Sequence, residues 1–458
     1  MPAVPSLLDE IWTALGSDAG KRPDIEFVGD GALPSAFAVS DLASASIAAA
    51  ASAVSELIAL RHGKAPAIRI DRRLSSLWFQ FSMQPLGWTM PPQWDAVAGD
   101  YKARDGWIRL HTNAPHHRAV ALNILDASTD RKAVADAVAK WTCDDLETAI
   151  VSHGGCAATM RGPADWLAHD QGRAVAAEPL ISRKRAGSGD MPTWAVPRTR
   201  PLTGIRVLDL TRVLAGPVAT RFLAGYGADV LRIDPPSWDE PAIIPEITPG
   251  KRCARLDLHK SDDRKIFERL LTECDVFVHG YRPDALDRLG FGVDRRRTLN
   301  PTLVDISLDA YGWTGPWRAR RGFDSLVQMS TGIAEAGMRH FAKDEPTPLP
   351  VQALDHAAGY LMAASAVRGL SERLASGAGN QARTSLARVA TLLLRYPTVS
   401  NEPDFAPRAD ADFGGIVEHT EWGDLRRLHP PAAISDAPMR WDRPAERLGA
   451  SAAVWSTR

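Results

Sequence analysis

The chain has 458 residues, room for two or three domains at roughly 150 residues each. Its 45% hydrophobic and 24% charged residues exclude a mainly disordered polymer. With 54 Lys and Arg against 55 Asp and Glu the net charge is −1, so no global field exists to hold nucleic acid or an anionic membrane; neither partner is expected, and an anionic ligand must be caught locally.

Met1 to Leu8 has neither a basic n-region nor a long apolar core, so no secretory signal is expected. The apolar stretch 43–60 is mostly Ala and Ser and contains Glu56. It is too weak to span a bilayer and reads as a packed helix. Residues 107–110 (WIRL) predict a strand, followed by helices over 116–125, 131–140 and 144–152. Residues 1–181 are therefore expected to hold a smaller α+β domain. Residues 182–201 replace periodic hydrophobics with Gly, Pro and Arg and are expected to be a solvated linker.

Past that point, over 202–458, strands and helices alternate. Residues 205–210 (IRVLDL) suit a buried parallel strand, 217–226 a helix opened by Pro217, and 228–233 (ADVLRI) a second strand. A helix over 261–271 with Ser261 as its cap leads to strand-like runs at 275–279 and 303–308. The expected fold is α/β: a Rossmann-like, doubly wound parallel sheet with a second, smaller α+β domain. Beyond the sheet, the segment from Leu349 resembles the one from Leu33. Each has Leu-Pro, an Asp (Asp355, Asp41) and an Ala-rich helix containing Ala-Ser-Ala-Val. Asp355 precedes Ala364 by nine residues and Asp41 precedes Ala51 by ten. One helical residue is a rotation of about 100°, so the two carboxylates need not face equivalent sites.

Several residues can carry chemistry. The turn 211–217 joins the first strand to the first helix, where free N–H groups and the helix dipole favour a phosphate. Neither GxGxxG nor GxxxxGK[ST] spacing is present, which disfavours NAD and P-loop nucleotide chemistry. Asp234 closes the second strand, either at a ribose or as a plain strand-end acid. Asp355, just ahead of a small-residue helix over 357–374, is either an N-cap or a catalytic carboxylate. The four cysteines form no CxxC pair, and His116, His117 and His153 have no partner at ligand spacing. No metal site or disulfide framework is expected, and the cytoplasm is the expected location.

Residues 201–210 (PLTGIRVLDL), 213–217 (VLAGP) and 227–233 (GADVLRI) resemble the opening of the family III CoA-transferases, which include formyl-CoA and carnitine CoA-transferases and the α-methylacyl-CoA racemases. Gly250-Lys251-Arg252 with Leu256-Asp257-Leu258 is similar to the family's NKRS…LDL, and 281–290 to its FRPGALxRLG. Tyr311-Gly312, Gly315-Pro316, Gly322-Phe323-Asp324 and Gln328 continue the likeness up to Asp355. Residues 105–108, 146–155 and 166–169 resemble the family's small domain, so the order along the chain is rearranged.

The resemblance implies a CoA-transferase acting on an acyl-CoA and a small carboxylic acid, with no permanently bound cofactor. It implies that Asp355 attacks the thioester, giving an aspartyl anhydride and then an aspartyl-CoA. It places coenzyme A on Leu214 and Ala215, on Leu256, Asp257, Leu258 and His259, on Gly280, Tyr281 and Arg282, on Arg288, and on Asp309, Ala310, Tyr311 and Gly312. Arg288 suits a phosphate, and Tyr281 and Tyr311 suit adenine or the pantetheine arm. Against the formyl-CoA enzyme, Pro235 replaces an Arg, Leu214 a Gln, Gly280 an Asn and Asp309 a Lys. A racemase would need a His where Phe323 stands, and phenylalanine accepts no proton. The alternatives to transfer are a racemase-like enzyme and a catalytically silent CoA-binding scaffold. A homodimer is expected from the family and from fourteen tryptophans spread over two lobes.

Overall fold

The computed structural model describes residues 3–17, 22–399 and 402–457. The centre is a seven-stranded sheet formed by β1 (Ser182–Ser188), β2 (Arg206–Leu210), β3 (Asp229–Asp234), β4 (Lys251–Arg255), β5 (Val276–His279), β6 (Val304–Asp309) and β7 (Ala378–Ser385). The spatial order is β4-β3-β2-β5-β6-β7-β1, parallel throughout except for β1. The buried apolar runs of β2, β5 and β6 are what a sheet covered on both faces requires. The order reverses between β2 and β5. In such sheets ligands bind outside the carboxyl ends of the strands at this reversal.

Three helices position the site: α1 (Val39–His62), α2 (Ala215–Gly225) and α3 (Ala353–Ser376). α3 packs on β6, β7 and α2 on one side and on α1 on the other. Small residues make this possible. A Cβ on Gly359 would lie 2.5 Å from the Ala215 carbonyl oxygen, so α3 and α2 cross at backbone contact. By length and composition α1 could span a membrane, which corrects the reading of 43–60 as too weakly apolar, but 89% of that window is buried inside the protein, as the packed-helix expectation has it. The small domain is an antiparallel sheet of Gly99–Lys102, Trp107–Leu110 and Ala157–Thr159 with helices Pro115–Leu125, Arg131–Val138 and Cys143–Ser152, close to the expected spans.

Two expectations of organisation are corrected. Residues 182–201 do not form a linker throughout, because Ser182–Ser188 closes the main sheet as its antiparallel edge strand, with Arg183 opposite Ala382. An edge strand needs one row of backbone hydrogen bonds and no apolar alternation, so its Arg-Lys-Arg run gave no strand signal. Arg183 is held by the Leu15 carbonyl and by Glu372. The boundaries 1–181 and 202–458 also do not separate two units. α1 lies in the main core beside α3, and the tail strand Ala432–Ile434 pairs with Ile68–Asp71 from the first part.

Candidate active site

The turn after β2 is built from beneath. Asp209 accepts from the Thr211 N–H at 2.9 Å and from the Thr220 hydroxyl at 2.5 Å, and fully buried Lys251 reaches its other side at 3.1 Å. Burial without water lowers the Lys251 pKa to about 8. Lys251 of the Gly-Lys-Arg triplet thus serves the turn from below. The turn itself is tight: Val213 has φ 63°, and a Cβ on Gly216 would sit 2.3 Å from Thr211. α2 begins at Ala215, two residues ahead of the expected Pro217. The Val213 N–H is already taken by the Glu240 carboxylate at 2.9 Å, so part of the expected phosphate cradle is occupied by the protein's own anion.

Arg212 crosses the switch point. It donates to the Tyr281 hydroxyl at 2.7 Å and lies between the Trp238 and Tyr281 rings at 4.7 and 5.2 Å. From here a cleft of about 520 Å³ runs between the small domain and α3. Its far wall carries Trp94, His111, Asn113 and His116, and its floor carries Asp324, Gln352, Asp355 and His356. Both walls come from one chain.

Asp355 is the third residue of α3, not its cap; Gln352 is the cap residue and makes no side-chain capping bond. The Asp355 N–H donates to Asp324 Oδ2 at 2.9 Å, and Gln328 bridges the other Asp324 oxygen to the Leu349 N–H at 2.7 Å. Asp324 therefore fixes the entry of α3. Among the described residues no protein group donates to the Asp355 carboxylate. Burial, and then the like charge of Asp324, push its pKa well above the usual carboxylate range. Asp324 is raised to about 6, first by burial, against the hydrogen bonds from Gln328 and from the α3 backbone. His356, stacked on Phe79, and His111, stacked 3.7 Å from Phe323, are both lowered to about 3 by burial and stay neutral.

The second Asp behaves differently. Asp41 is also the third residue of its 24-residue helix, behind a cap residue of the same conformation (φ −72°, ψ 59° against φ −73°, ψ 64°). The two carboxylates thus hold the same helix position but face sites that are not equivalent. The one-residue difference falls later in the helix and turns the Ala-Ser-Ala-Val segment instead. Asp41 is closed off: Arg72 Nε donates to Oδ1 at 2.8 Å, the Ala3 N–H to Oδ2 at 2.9 Å, and the space beside it is about 20 Å³, room for a water at most.

Of the other expected contacts, Leu214 lines the cleft and Ala215 starts α2 behind it. Leu256, Asp257, Leu258 and His259, then Gly280, Tyr281 and Arg282, and Asp309 through Gly312 follow the carboxyl ends of β4, β5 and β6. The fold thus brings them to one edge of the sheet, though none of them lines the cleft. Leu256 and Leu258 are core residues. Tyr311 is 1% exposed, bonded to Ser330 and edge-on to Trp317. This corrects its role as an adenine platform, because its faces are covered by protein. Asp309 is buried with Oδ1 on the Gly312 N–H at 2.8 Å, and Ala310 packs against the core. Arg288 is exposed and paired with Asp284 four residues back. Asp234 is a buried partner of Arg232, not a ribose acceptor. The sequence reading missed Arg212, Trp238, Glu240 and His111. Only Asp324 and Gln328 had been visible, as unassigned members of the motif ahead of Asp355.

Comparison with known proteins decides the family. A model for CoA-transferase family III matches residues 202–412. A protein of Mycobacterium tuberculosis named as a probable fatty acyl-CoA transferase is 31% identical over 281 residues, which is 55% of this chain and 69% of that protein. The chain belongs to the CoA-transferase family III. An acyl-CoA transferase of Fusarium pseudograminearum is 31% identical over 42% of this chain and 46% of its own length. An acetyl-coenzyme A transferase of Hypoxylon pulicicidum is 27% identical over 75% and 58%. The chain thus spans about half the length of these last two curated relatives. A solved structure of a hypothetical protein from Mycobacterium tuberculosis superposes with a TM-score of 0.39 at 30% identity, covering 43% of this chain and 57% of that one.

Proposed function

We propose that this protein moves coenzyme A from an acyl-CoA to a small carboxylic acid, with Asp355 as the nucleophile. The observation that carries the reading is the Asp355 carboxylate itself: buried, without a cation or a hydrogen-bond donor, at the floor of an open cleft. A desolvated carboxylate is a stronger nucleophile than a hydrated one. An Asp355 oxygen adds to the thioester carbonyl, the C–S bond breaks and the thiolate leaves, giving a mixed anhydride. The thiolate then attacks the Asp355 carbonyl carbon and expels the first acid. The incoming acid's carboxylate attacks the aspartyl-CoA and releases the thiolate. Attack of that thiolate on the new acyl carbon completes the exchange and frees Asp355.

Phe323 and the neutral His111 stacked on it favour transfer over racemisation, since neither is an effective base near neutral pH. The open cleft favours an enzyme over a silent scaffold. In the same reading the protein works in the cytoplasm as a homodimer, with acyl-CoA as substrate and no resident cofactor. Incubation with acyl-CoA followed by hydroxylamine tests the proposal. An Asp355 hydroxamate in the peptide mass map is the expected product, and its absence with every acyl-CoA offered would leave the scaffold reading.

A further inference from the structure

We infer that the acyl group taken by this cleft is uncharged and apolar, an aliphatic or aryl monocarboxyl group rather than the acyl half of a dicarboxylic acid. The inference rests on the proposed transfer and concerns its substrate class. A dicarboxyl group needs a cation for its second carboxylate, and among the residues lining the cleft only Arg212 is a Lys or Arg. Arg212 stands at the sheet edge, between the Trp238 and Tyr281 rings and bonded to the Tyr281 hydroxyl, and is assigned to a coenzyme phosphate rather than to the acyl group.

Four cations behind the walls beside Trp94 and Asp355, namely Arg109, Arg118, Arg221 and Arg427, are engaged. Arg109 lies 5.0 Å from the Trp94 ring but pairs with both oxygens of Asp100 at 2.8 and 2.9 Å. Arg118 pairs with Asp95 at 2.7 Å, while Arg221 and Arg427 both face Glu246. The imidazoles beside Asp355 are neutral at physiological pH. A second substrate carboxylate would therefore enter beside Asp324 and Asp355 with no charge to meet it.

The walls supply the opposite of a cation. Phe81, Pro92, Trp94, Pro115 and Phe323 line the space, and Trp94, with Arg109 over its ring, is still 38% exposed. At about 520 Å³ the cleft has room for a medium acyl chain or one aromatic ring beside the thioester arm.

Calorimetric titration of the full-length Asp355→Asn protein, which cannot form the anhydride, tests this with free CoA, hexanoyl-CoA, benzoyl-CoA and succinyl-CoA. Asp324 and the apolar wall remain in that variant. The neutral thioesters are expected to bind at least about tenfold tighter than CoA, in line with burial of several methylenes or a ring, and succinyl-CoA no tighter than CoA. Trp94→Lys in the same background is expected to reverse the order of hexanoyl-CoA and succinyl-CoA. Succinyl-CoA equal to or tighter than the neutral thioesters overturns the inference while leaving transfer intact. The expected order without any hydroxamate in the unsubstituted protein supports the pocket reading and removes the transfer. Failure of CoA and all three thioesters to bind removes both.

Discussion

Asp41 and Asp355 stand at the same place, third in two 24-residue helices that pack against each other, yet only Asp41 faces a guanidinium. The repeat thus holds one carboxylate satisfied as structure and one left exposed to chemistry. The difference is made by Arg72, a residue outside either helix.

Asp355→Ala is expected to reduce CoA exchange by several orders of magnitude, because no neighbouring group can replace the covalent step. Circular dichroism should remain that of the parent. Near-normal turnover in a steady-state assay would remove Asp355 from the mechanism.

The same buried acid should weaken the fold. Its folded pKa is raised, so its favourable contribution is complete below the unfolded value near 4 and is lost as pH rises through the folded value. Asp355→Asn is neutral at every pH. It should therefore match the parent at pH 4 and be more stable by about 1 to 3 kcal/mol at pH 8, the usual cost of an unsatisfied buried polar group. Urea denaturation at the two pH values checks this, and equal stability at pH 8 counts against an uncompensated carboxylate.

Exchange should share that dependence, since only ionised Asp355 attacks. The rate is expected to fall with decreasing pH well before the ordinary carboxylate range is reached. Asp324→Asn removes the adjacent like charge and should move this acid limb to lower pH. A pH profile of kcat/KM with an unmoved limb would show that the two acids titrate independently.

Arg72→Ala leaves Asp41 buried without its cation and is expected to cost about 3 to 5 kcal/mol of stability. The double variant Asp41→Asn/Arg72→Met should recover most of it, because the loss comes from an unpaired charge rather than a missing contact. Chemical denaturation of both proteins distinguishes the two cases.

Arg212→Ala is expected to weaken free CoA by about 1 to 3 kcal/mol, the range of a charge-assisted hydrogen bond to phosphate. Calorimetry in low and moderate salt should show a shallower salt dependence for the variant. Unchanged affinity would place the phosphates away from the switch point.

The period-2 and period-3.6 patterns, the turn residues and the family motifs made the parallel sheet, the small domain and Asp355 legible in the sequence, because each is written in a local stretch of chain. The edge strand Ser182–Ser188 was not, since backbone pairing to Ala378–Ser385 makes no demand on its side chains. Nor was the enclosure of Tyr311, whose surroundings include Gln171, 140 residues away along the chain.

The sequence by itself determined the sheet, the helix that carries the proposed nucleophile and the duplication of its Asp. Tertiary structure alone decided which carboxylate is paired and which is left without a cation, because an acid's chemistry depends on desolvation and on the charges within a few ångströms. It brought Arg72 to Asp41 across 31 residues, set Asp324 behind Asp355 across 31 others, and placed Trp94 and His111 of the small domain opposite α3 to make one cleft within a single chain.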